Sequence, residues 1–106
     1  MKKLDELEGR LAISSSFLDR LEEVGVIFAK TAREYSLVGP VARASALDRD
    51  LRRAQPYCGY ESCAFDVPTE EEGDGYARLR VLFEEARQSL RIMEQAVSGL
   101  TRPCAG

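Results

Sequence analysis

The sequence predicts a mostly α-helical fold: one small domain over residues 1–106 with several short helices and one long amphipathic C-terminal helix. Minor β pairing has room only near residues 38–44 or 64–67. Two observations carry this reading. Leu79, Leu82, Phe83, Ala86, Leu90, Met93 and Val97 recur mostly at steps of three and four, the spacing of one helix face. The chain has 106 residues, 44% of them hydrophobic, and a domain of that size buries roughly two-thirds of its unfolded surface, enough for one modest core.

Leu4, Leu7 and Leu11 form a first helical stripe with charges between them. Ser14-Ser15-Ser16 interrupts it, and Ser16 with Asp19 three residues on reads as a capping pair for a second short helix carrying Leu18 and Leu21. Gly25 is its expected stop. A third short helix is expected over Ala29 to Tyr35, before Gly39-Pro40 breaks the chain. Val41 to Ser45 has weak propensity either way. Ser45 with Asp48 reads as a helix start giving one or two turns to Arg53, closed by Pro56. Residues 57–73 read as irregular or short extended segments with Tyr57, Tyr60, Phe65 and Val67 as inward anchors. An acidic turn follows around Gly73. The last helix is expected from about Asp74, its N-cap, to Ser98, with Gly99 as stop and Pro103 beyond. Its apolar stripe is expected to pack on Leu18, Leu21, Val24, Leu37, Leu51, Phe65 and Val67.

Composition narrows the function. A net charge of −3 and a pI near 5.0 argue against a nucleic-acid partner. No apolar run reaches the length that spans a bilayer, and the acidic N-terminus resembles no secretion signal. A cytoplasmic location follows as the expectation. Cys58, Cys63 and Cys104 make an odd count that speaks against a disulfide framework. Histidine is absent, which removes the commonest general base and metal ligand. No glycine-rich nucleotide fingerprint occurs.

The unusual feature is arginine density outside a regular helix: Arg43, Arg49, Arg52 and Arg53 lie close together with Asp48 and Asp50. Guanidinium forks pair bidentately with carboxylates, so the stretch reads either as a brace between two pieces of backbone or as a solvated charged turn.

The residues of this stretch carry a resemblance. The run from Val38 to Tyr57 includes Gly39-Pro40-Val41-Ala42-Arg43-Ala44-Ser45, Arg49-Asp50-Leu51-Arg52 and Pro56-Tyr57. It closely resembles a block of the large subunit of energy-converting [NiFe] hydrogenases and formate hydrogenlyase, and of the homologous complex I subunit. Phe65-Asp66-Val67-Pro68, Gly73-Asp74, Tyr76-Ala77-Arg78 and Glu85-Ala86-Arg87-Gln88-Ser89-Leu90-Arg91-Ile92 look like later segments of that family, in the right order. Phe17 to Leu21 and Gly25-Val26 fit the approach to the block. Ala46 departs from the pattern: the family usually has glycine there, which implies a backbone angle that alanine can also adopt or an altered loop.

The resemblance implies a piece of such a subunit, a scaffold segment beside the metal or quinone cavity and not catalytic alone. The family holds nickel and iron on two CxxC pairs. This chain has neither pair, and nothing in it matches the family's quinone-contacting histidine and tyrosine. No cofactor is therefore expected on this chain, while the parent subunit would bind a NiFe centre or quinone. Arg43, Asp48, Arg49, Asp50, Arg52, Arg53, Tyr57, Asp74, Arg87 and Arg91 are the motif or interface candidates. The implied partners are an iron–sulfur small subunit, the remaining parts of the large subunit and, indirectly, membrane subunits, with the whole at the inner face of the cell membrane. The Val41–Ser45 run leans towards the hydrogenase branch. A stand-alone assembly or interaction module is the alternative, and an isolated piece is expected to form homodimers through exposed apolar surface.

Overall fold

Residues 2–100, which the computed structural model describes, form α1 (Lys2–Ala12), α2 (Ser15–Asp19), α3 (Ala29–Glu34), α4 (Gly39–Arg43), α5 (Leu51–Ala54), a 3-10 turn (Tyr60–Ser62) and α6 (Gly75–Leu100). The readings that fell on Pro103 and Cys104 lie outside the described residues. The mostly helical class and the long final helix are as the sequence predicts. Asp74 caps α6: the Ala77 amide donates to its Oδ1 at 2.7 Å. Gly99 is not the stop, since the helix runs through it to Leu100.

The short elements start elsewhere than the capping patterns suggest. Ser14, not Ser16, caps α2, its Oγ accepting from the Phe17 amide at 3.4 Å; any of three consecutive serines could serve. α2 ends at Asp19, and turns carry the chain to Gly25, which is left-handed as a terminator should be. Ser45 caps nothing. Its hydroxyl donates to the Ile27 carbonyl at 2.7 Å, and the next helix begins at Asp50, whose carboxylate accepts from the Arg52 amide at 3.0 Å.

No strand forms among the described residues. Residues 39–43 are helical, with Pro40 in the first turn of α4 where its missing N–H costs nothing. The extended stretch around 64–66 satisfies its backbone with side chains of α6 instead of a second strand. The Gln95 amide pairs with both backbone groups of Ala64, at 2.7 and 2.6 Å, and Gln88 accepts from the Asp66 amide at 3.0 Å.

The core is made of small residues. Ala32, Ala42 and Leu47 form one cluster with Ile27 and Leu37 packed on it; Ala44, Ala77 and Val81 form a second where α4 meets α6. α6 therefore buries Ala77, Val81, Phe83 and Gln88. The stripe expected to face inward does so only in part: Phe83 is buried and Leu79, Ala86 and Leu90 are half-buried, whereas Leu82, Met93 and Val97 are 51%, 60% and 62% exposed. At 3.6 residues per turn these three lie roughly 140° around the helix from Ala77, Val81 and Gln88. Val24, Leu51 and Tyr57, expected inside, are also exposed, whereas Phe65 is buried.

The result is a plate of 55 × 36 × 13 Å with a radius of gyration of 16.4 Å, against about 13 Å for an ordinary compact chain of this length. The two faces of a layer this thin cannot both be covered by its own side chains.

Candidate functional site

Three polar clusters hold the plate together, and most of the candidate residues fall into them. In the first, the side chain of Arg43, at the end of α4, is almost fully buried. Its guanidinium grips Glu85 of α6 through two nitrogens and donates through a third to the Arg49 carbonyl at 2.8 Å. One side chain thus ties α4, α6 and the loop before α5. Beside it, Arg52 is bidentate on Asp50, at 3.1 and 2.7 Å, and lies over the rings of Phe65 and Tyr60, 5.0 and 5.6 Å from their centroids. The hydrogen bond from Arg52 leads the causes that hold the Asp50 carboxyl below its usual range, ahead of the opposing effect of burial; Arg43 adds to the lowering. Arg52 is raised in return, first by that same bond.

The second cluster closes the chain crossing at the start of α6. Gly73 donates to the Ala44 carbonyl and accepts from the Ile27 amide, both at 2.9 Å. Asp74 accepts from the Glu23 amide at 2.9 Å through its other oxygen. Burial alone would raise this carboxyl, but the backbone donors of Glu23 and Ala77 and the nearby Arg78 charge outweigh it and hold it below the ordinary value. Arg78 donates to the carbonyls of Gly25 and Gly73 at 3.0 Å each.

In the third, Arg87 joins α6 to α1 by pairing with Glu8 and Asp5, and with Glu84 one turn back. Its proton affinity is raised, first by the bond to Glu8. Arg87 is therefore a tie between elements. Arg91 reaches Gln88 at 3.1 Å and Asp66 at 3.4 Å.

The remaining candidates point away. The side chains of Asp48, Arg49 and Arg53 are exposed and make no hydrogen bond or ion pair among the described residues. Tyr57 sets its ring edge against Tyr60, with centroids 5.3 Å apart. Cys58 and Cys63 are free thiols lining an open cleft with Ser62, Arg91 and Gln95. Among the described residues no group of three or more His, Cys, Asp or Glu is arranged to hold a metal ion. Sequence reasoning passed over Glu85, Arg78, Ser45 and Gly73 as working residues. All four stand inside the quoted motif segments, which is the signal that could have found them.

Fold and clusters together define a class: a thin helical layer in which the buried Arg43 and the half-buried Arg78 and Arg87 tie separate stretches of the chain to one another. The sequence matches, over residues 1–105, the family described as respiratory-chain NADH dehydrogenase, 49 Kd subunit, and the chain belongs to that family. It is similar to the D 2 subunit of NADH-quinone oxidoreductase from Solibacter usitatus (strain Ellin6076), 47% identical over 98 residues that cover 92% of this chain and 26% of that protein. The D subunit of the same enzyme from Akkermansia muciniphila is 49% identical over 96 residues, 91% of this chain and 23% of the relative. That of Myxococcus xanthus (strain DK1622) is 47% identical over 94 residues, 89% and 23%. The chain spans about a quarter of the length of the curated relatives it matches.

Proposed function

We propose that this chain is a scaffold segment of an NADH–quinone oxidoreductase large subunit, supplying rigid wall beside the quinone or metal cavity and no catalytic group of its own. The observation that carries this is the Arg43 brace: a buried guanidinium whose donors are spent on Glu85 and the Arg49 carbonyl has a structural role. The family match over residues 1–105 supports the parent. The segment binds no cofactor itself; the parent subunit takes the quinone. Its partners are the iron–sulfur small subunit, the remaining parts of the large subunit and, through them, the membrane subunits. It works on the cytoplasmic side, at the inner face of the cell membrane; no described helix is long and apolar enough to cross a membrane. The acidic pI near 5.0 supports a protein partner over a nucleic acid.

A hydrogenase parent is the second reading, favoured by the Val41–Ser45 run. A stand-alone assembly module of the same complex is the third. Mixing the tagged chain with the iron–sulfur small subunit and measuring co-elution, nickel content and H₂-dependent dye reduction tests the scaffold assignment that the three readings share. Co-elution without nickel is expected. A chain that captures no subunit of the complex, or one that carries stoichiometric nickel and consumes hydrogen, would overturn the scaffold assignment.

A further inference from the structure

The segment from Asp48 to Tyr57 is held rigidly and presents its recognition groups outward. Arg43 fixes the Arg49 carbonyl, and Asp50 caps α5 while binding the Arg52 guanidinium, which lies over Tyr60 and Phe65. Of α5, only Arg52 turns inward; the helix has no buried residue. What it shows to solvent is Leu51, 67% exposed, and Tyr57, 52% exposed, together with the side chains of Arg49 and Arg53. Neither guanidinium has a hydrogen-bond or ion-pair partner among the described residues. The arginines of α6, Arg78, Arg80, Arg87 and Arg91, are all engaged; Arg10, Arg20 and Arg33 are exposed without a partner among the described residues, as Arg49 and Arg53 are, but lie on other elements.

Tyrosine and arginine are the side chains enriched at protein-interface anchors, and here they stand on and beside a short, braced helix next to an exposed leucine. Two forks this close would each accept a carboxylate bidentately. Asp48, the uncompensated carboxylate beside them, offers an acceptor in return.

We infer that Arg49, Leu51, Arg53 and Tyr57 form a docking knob for a protein surface carrying an apolar pocket rimmed by carboxylates, presented by another subunit of the complex. This rests on the scaffold reading above, and it specifies which face engages and with what chemistry. Anionic lipid would attract the two arginines as well. It would not order a tyrosine and a leucine around a fixed pair of forks, and the net acidic chain opposes a charged membrane surface.

The test is quantitative binding of the full chain to the iron–sulfur small subunit, in parallel with phosphatidylglycerol vesicles. Variants are Arg49→Glu/Arg53→Glu and Leu51→Asp. All three side chains are exposed, so far-UV circular dichroism should match the parent chain. We expect each variant to bind the subunit at least tenfold more weakly, and affinity of the parent chain to fall steeply with salt. Unchanged binding by both variants would overturn the docking face while leaving the scaffold assignment standing. Absence of binding by the parent chain would remove both. Vesicle binding that exceeds subunit binding and disappears in the arginine variant would replace the protein partner by a lipid surface and overturn the inference.

Discussion

Ala46 sits at a φ of 69° and Gly73 at 66°, both in the left-handed region where a Cβ crowds the following carbonyl. At Ala46 the resemblance already places glycine, so this angle was legible in the sequence. Ala46→Gly should raise stability by about 0.5–1 kcal/mol, the relief of the left-handed strain less the added freedom of the unfolded chain. A urea midpoint moving upward at constant slope checks it. Gly73 is different. A Cβ there would stand 2.1 Å from the Ile27 carbonyl oxygen, a backbone atom that cannot turn aside, so Gly73→Ala should cost about 3 kcal/mol or more. That collision comes from a segment far away in sequence, and no local pattern could reveal it. The carboxyls set a pH dependence as well. Asp50 and Asp74 both lie below their ordinary value when folded, so the unfolded chain takes up protons first as pH falls. Their contribution is whole above about pH 4, the free aspartate range, and is lost as pH drops through the folded values. Glu70, raised chiefly by burial against the attraction of Arg80, works in the opposite sense just above the ordinary glutamate value. Stability measured by urea from pH 2.5 to 6 should therefore rise with pH at the acid end, and Asp50→Asn/Asp74→Asn should flatten that rise.

At the scale of elements, the long final helix was legible, whereas the starts of the short helices and the inward side of α6 were not. The apolar period over residues 79–97 correctly announces a helix, and Asp74 correctly announces its cap. The inward side escapes the pattern because α4 and the start of α6 approach so closely that only small or amide side chains fit: Ala44 against Ala77 and Val81, and Gln88 bonding the backbone of Asp66. Burial of that kind selects for size, and a search for large hydrophobics follows the opposite face. The elements are then tied by charge. Arg43 and Glu85 are 10% and 19% exposed, buried enough that removing one partner strands the other. Arg43→Met should cost about 3–5 kcal/mol, whereas Arg43→Met/Glu85→Leu together should cost clearly less than the sum, with a coupling of about 1–3 kcal/mol in a double-mutant cycle. α1 is a looser case, since it buries no residue and is bound to α6 through Arg87. Arg87→Met should therefore strip amide-exchange protection from residues 2–12 while leaving α6 protected, which hydrogen-exchange mass spectrometry reads directly.

For the whole molecule, the plate shape decides the thermodynamics. A layer 13 Å thick is about one helix with its side chains, so the long apolar positions of α6 that do not meet α4 have nothing of this chain to meet. Leu82, Met93, Val97 and Leu100, the last 85% exposed, run down one side of the helix, and Leu90, Met93 and Val97 line a groove there. In the assembled subunit the rest of the large subunit is the proposed cover. In isolation the same stripe is available to a second copy, because the three-and-four spacing of Ala86, Leu90, Met93, Val97 and Leu100 is the seam spacing of paired helices. Such pairing has a signature that a monomer cannot imitate. Tenfold more protein stabilises a dimer by about 1.4 kcal/mol, about 0.7 kcal/mol per chain, which for a domain of this size raises the melting temperature by roughly 3–5 °C. Met93→Glu/Val97→Glu alters only exposed positions and should abolish the concentration dependence without lowering helix content. Scanning calorimetry over two decades of concentration, under reducing conditions so that Cys58 and Cys63 cannot crosslink copies, measures both. A melting temperature independent of concentration for the parent chain would mean that the outer face of α6 tolerates water, and that covering it requires a differently shaped partner than a second copy of the chain.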